Sequence, residues 1–179
     1  MITEVTLPPE LIKAAECLEQ RFQILRVPTR KVPLAEWSLV PEEVQGSIPG
    51  WVPTLLARFS LHGGCLECKN DNDDANWERL FGFSGPDQYK DFLLARDYVW
   101  DTEILAAGFV LISHEQNGDF WVTSIKDGPS APIYLFSLSD MKRFFASSRI
   151  ALLISSMAVS ERSYDEPDKP RSVMWHPER

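Results

Sequence analysis

The sequence predicts an α+β domain in which an antiparallel β-sheet meander is packed by helices. Three observations carry this expectation. The stretch GFVLISHEQNGDFWVTSI places two apolar, β-prone runs around Asn117 and Gly118, a dipeptide that favours the tight turn between antiparallel strands. After the turn DGPS, APIYLF reads as a third strand, so a meander spans roughly residues 108–136. Helical spacing recurs before and after it, and no helix falls between these strands, as a dinucleotide-binding parallel unit would require.

The elements follow in order. TLPPELIKAAECLEQRF predicts a first helix, with Thr6 as its cap and Pro8 and Pro9 in its first turn. Leu11, Ala15, Leu18 and Phe22 recur at helical spacing as one apolar stripe, with Cys17 beside it as a partly buried packing residue. Residues 27–50 contain Pro28, Pro33, Pro41 and Pro49, which rule out a long helix. This stretch reads as a turn-rich connector anchored by Leu34, Trp37, Leu39 and Val44. Pro53 starts a helix running to about Leu61, and Gly63 and Gly64 supply the positive backbone angles that end it.

The segment NWERLFGF predicts a short strand. GPDQYKDFLLAR predicts a helix with Tyr89, Phe92, Leu93 and Arg96 at helical spacing, while residues 97–107 fit neither pattern. After the meander, SLSDMKRFFASSRIALLISSMAV reads as a long final helix. Ser137 and Asp140 match a capping box, and Met141, Phe144, Phe145, Leu152 and Leu153 form an apolar face laid across the sheet. Residues 1–160 are expected to form the domain, and the polar residues 161–179 a C-terminal tail.

Composition narrows the function. Of 179 residues, 44% are hydrophobic and 25% charged, the make-up of one globular domain with its own core. The formal net charge of -8 argues against direct nucleic-acid binding, which needs a basic footprint, and favours a basic protein partner. The sequence holds no apolar run long enough to span a membrane, and MITEVTLPPEL lacks a basic start and apolar run of signal type. The expectation is a cytoplasmic protein with no membrane contact. Its three cysteines make a disulfide framework a poor fit.

The stretch SLHGGCLECKNDNDDANW concentrates the residues with chemical potential. Cys65 and Cys68 have familiar zinc-ligand spacing, and His62 or Cys17 would add a third donor, but no second such pair exists. A redox pair belongs between a strand and a helix, and the nearby carboxylates would raise the thiol pKa values. Counted as an EF-hand loop from Asp71, the stretch puts Ala75 at position five and Gly82 at twelve, so it fails. The bland reading is a solvated acidic loop; the functional one is an acidic recognition surface. His62, His114 and His176 build no recognisable triad, no phosphate-binding glycine loop or nucleophile elbow is present, and Asp101 with Glu103 reads as solvent-facing. No cofactor is expected. Of six tryptophans, Trp51 and Trp121 read as core, and others remain available as interface anchors.

The order of these elements resembles the SUKH superfamily, named partly for the yeast Smi and Knr cell-wall regulators. The resemblance lies in IPGWVPTLLARFSLHGG, in the hairpin GFVLISHEQNGDFWVTSI, and in APIYLFSLSD with a final helix. It covers roughly residues 8–158, and Gly64, Gly118, Asp119 and Trp121 match best. It implies a binding fold without catalytic activity. Bacterial members are associated with immunity to polymorphic toxins, many of them nucleases, and eukaryotic members act as regulators or scaffolds. The leading expectation is therefore an immunity protein that binds a basic toxin domain through Glu67, Asp71, Asp73, Asp74 and Trp77. The alternatives are a regulatory or scaffold module without a toxin, and a metal-dependent enzyme using His62, Cys65 and Cys68.

Overall fold

A computed structural model describes residues 2–64, 66–69, 77–80, 83–94, 99–114, 120–137, 142–147, 150–151, 154 and 158–159. It has the expected α+β architecture, with helices packed on antiparallel sheets. Helix α1 spans Pro9–Ile24, and its stripe of Leu11, Ala15, Leu18 and Phe22 is buried as the spacing predicts. Thr6 does not cap it. Pro8 occupies the cap position, and its carbonyl accepts from the amides of Leu11 at 3.0 Å and Ile12 at 3.1 Å. The helix closes by a Schellman motif, in which Val27 N donates to Phe22 O at 3.0 Å and Arg26 N to Gln23 O at 3.1 Å. Arg26 adopts the left-handed conformation this closure requires, with φ 55°.

The connector holds a 3-10 helix, Leu34–Leu39, and the short helix α2, Glu42–Gln45. Trp37 and Val40 are fully buried and Leu34 is half-buried, but Leu39 is 55% exposed and is not an anchor. The reason is the three-residue turn of a 3-10 helix, which aligns positions 34, 37 and 40 and turns position 39 away. The side chain of Val44 lies outside the described residues.

Helix α3, Trp51–Arg58, carries Pro53 in its first turn and stops sooner than expected, because Phe59 is already extended with φ -119° and ψ 145°. The two glycines therefore do not end it. Gly63 has φ 90° and turns the chain further on, whereas Gly64 has no positive φ and packs beneath α1. Helix α4, Pro86–Leu94, falls within the stretch expected to be helical, with Tyr89 buried and Leu93 half-buried, while Arg96 and the side chain of Phe92 lie outside the described residues; the ambiguous stretch contains α5, Val99–Ala106. Gly108, at φ 81°, makes the sharp change from α5 into the sheet.

Strands β1, Leu66–Lys69, and β2, Trp77–Leu80, pair with β7, Ala158–Val159, in the order β2-β1-β7. The second sheet is the expected meander with one strand more: β3, Phe109–His114, β4, Phe120–Ser124, β5, Ile133–Ser137, and β6, Lys142–Ser147, in that order. The fourth strand overturns the long final helix. Ser137 is no cap but the last residue of β5, paired with Lys142, while Leu135 faces Phe144 and Tyr134 faces Phe145. Adjacent large aromatics suit a pleated ladder, and β5 offers an edge to complete. Among the described residues beyond β6, Ile150, Ala151 and Ile154 are helical. Asp140, Met141, Leu152 and Leu153 lie outside the described residues.

The core is one cluster joining the α1 stripe, Trp37, Trp51 and α3 to Val110, Leu111, Trp121, Val122, Ile133, Ile150 and Ile154. Val110 and Leu111 are both buried, as are Val122 and Thr123. Successive strand residues point to opposite faces, so both faces of the four-stranded sheet carry buried residues. Among the described residues no helix is long and apolar enough to cross a membrane.

Candidate functional site

The structure turns the cysteine- and aspartate-bearing stretch into two neighbouring features. The first is the β1–β2 hairpin. Its register pairs Leu66 with Leu80, Glu67 with Arg79, Cys68 with Glu78 and Lys69 with Trp77. Residues 70–76, which include Asp71, Asp73 and Asp74, thus join two positions that are cross-strand partners. Antiparallel partners have Cα atoms about 4.5–5.5 Å apart. Glu67 and Trp77 lie on these two strands, each opposite a basic position, Arg79 and Lys69. Alternation puts positions 67, 69, 77 and 79 on one side of the hairpin. Their side chains, like residues 70–76, lie outside the described set.

The second feature is a seam at His62, where three segments meet. Arg30 N donates to His62 O at 3.0 Å and His62 N to Arg30 O at 3.2 Å, a single antiparallel bridge. On its other side His62 bridges to Phe83. The ring atom Nδ1 lies 3.0 Å from Phe83 O. A carbonyl only accepts, so Nδ1 is the donor in this contact. Gly85 lies against the ring, where a β-carbon would come within 2.7 Å of Cε1. Gly85 N donates to Gln88 Oε1 at 2.9 Å, which caps the start of α4.

This seam is tied to the larger sheet. The register of β3 against β4 shifts between Leu111 and Ser113, which leaves Ile112 out of the ladder. Its carbonyl accepts instead from Ser84 N at 2.9 Å. A bulge thereby fastens the segment holding His62 to β3. The seam is tied to α1 as well, because Glu19 Oε1 accepts from Ser60 N at 2.7 Å. His62 works here as a structural clamp. Cys65 and the side chain of Cys68 lie outside the described residues, and among those described no group of three or more His, Cys, Asp or Glu could hold a metal ion.

No family model, no curated protein and no solved structure matches this chain.

The remaining candidates separate clearly. Trp51 and Trp121 are core residues, and Trp37, equally buried, meets Tyr89 edge to face at 5.3 Å between ring centroids. Glu103 is exposed on α5 and Cys17 is half-buried on α1. The Asn117 and Gly118 turn and His176 fall outside the described residues, although β3 and β4 pair across that turn as expected. Sequence reasoning missed one arrangement. Phe109, Phe120, Tyr134 and Phe136 share one face of the meander, all half-buried, and Phe109 meets Tyr134 edge to face at 5.5 Å. Strand alternation alone gives the face within each strand; only the register joins the four.

Proposed function

We propose that this chain is a non-catalytic, cytoplasmic protein-binding domain that neutralises a cognate toxin by direct binding, with the β1–β2 hairpin as its docking element. The observation that carries the reading is the pairing of Lys69 with Trp77, the two described residues that flank Asp71, Asp73 and Asp74 in the sequence. Concentrated carboxylates on a chain of net charge -8 favour encounter with a basic surface. Trp77 beside them supplies an aromatic anchor of the kind enriched at binding hot spots. The resemblance to the SUKH superfamily supports the same reading, with a basic nuclease toxin as the fitting partner.

The test is capture of binding partners with the purified chain, followed by expression of each captured protein alone and together with the chain. One stoichiometric basic partner, toxic alone and silent in co-expression, supports toxin neutralisation. Several weak partners without toxicity would replace it with the regulatory scaffold reading.

A further inference from the structure

We draw no further inference here: the strongest candidate, the half-buried aromatic face of the four-stranded sheet formed by Phe109, Phe120, Tyr134 and Phe136, carries nothing because nothing in the structure shows what covers it.

Discussion

Gly64 lies directly beneath the ring of Phe22. A β-carbon at position 64 would overlap the ring edge and come within 2.9 Å of Thr29 Cγ2. Phe22 is fully buried and cannot swing aside. Gly64→Ala should therefore destabilise the protein by about 1–3 kcal/mol, the usual cost of overpacking. Gly46 has nothing within 4 Å of the equivalent point, so Gly46→Ala serves as the control and should be close to neutral. Urea denaturation of both variants makes the comparison, and equal midpoints would show that Gly64 is not a close-approach glycine.

Arg26 closes α1 with a left-handed backbone at φ 55°. That conformation costs an L-residue about 1–2 kcal/mol and glycine almost nothing. Arg26→Gly should raise stability by about 0.5–1 kcal/mol and the melting temperature by roughly 2 °C for a chain of this size. A lower melting temperature would mean that the arginine side chain contributes more than its backbone costs.

Tyr89 is fully buried, and its hydroxyl has no hydrogen-bond partner among the described residues. Burial pushes its pKa well above the ordinary phenol value. The unfolded chain then loses this proton at about pH 10, whereas the folded protein keeps it. Above that pH the folded state binds more protons, so its stability falls as pH rises. Tyr89→Phe should be neutral or stabilising by about 1 kcal/mol at pH 7, because it removes an unsatisfied buried group. It should also flatten the loss of stability above about pH 10. Denaturation curves at pH 7 and in the alkaline range read both effects, and a clearly less stable variant at pH 7 would reveal a hydrogen-bonded hydroxyl.

Thr54 fastens the segment preceding α1. Its Oγ1 accepts from Val5 N at 3.0 Å and donates to Gly50 O at 2.9 Å. Thr54→Val keeps the shape and removes both bonds. It should cost about 1–2 kcal/mol and speed amide exchange at Val5 while leaving exchange in the rest of α1 unchanged. Unaltered exchange at Val5 would place the hold on Leu7, which is 4% exposed, rather than on the hydroxyl.

The binding proposal has its own signature in kinetics. Reversing Asp71, Asp73 and Asp74 to lysine should slow association with a basic partner by about tenfold or more at low salt. The difference should shrink as added salt shortens the screening length. An unchanged rate at low salt would remove the hairpin connection from the docking surface.

Where local pattern and tertiary demand agreed, the sequence was readable. The α1 stripe needs only a helical period, and the meander needs only alternation and turn residues, so both were legible. The helix expected through Phe144 and Phe145 was not borne out, because KRFFAS fits a helix face locally while β5 supplies the edge that decides. Leu39 looked like an anchor because the rotation of a 3-10 helix differs from that of an α-helix. The cysteine-bearing stretch showed its residue types but not its geometry. Nothing local announces that Leu66–Lys69 is a strand, or that His62 is enclosed by Phe83 and Gly85 from a later segment.

Strand β1 is the middle strand of its sheet, with β2 from the next stretch of chain on one side and β7, near residue 159, on the other. One half of that ladder is local and forms quickly; the other waits for almost the whole domain to leave the ribosome. Pairings so distant along the chain slow folding through the entropy of closing the intervening loop. Until Ala158 and Val159 arrive, the hairpin carries an open backbone edge at Leu66 and Glu67. The nascent chain is then most prone to pair with the wrong strand, and the arrival of Ala158 and Val159 acts as the seal.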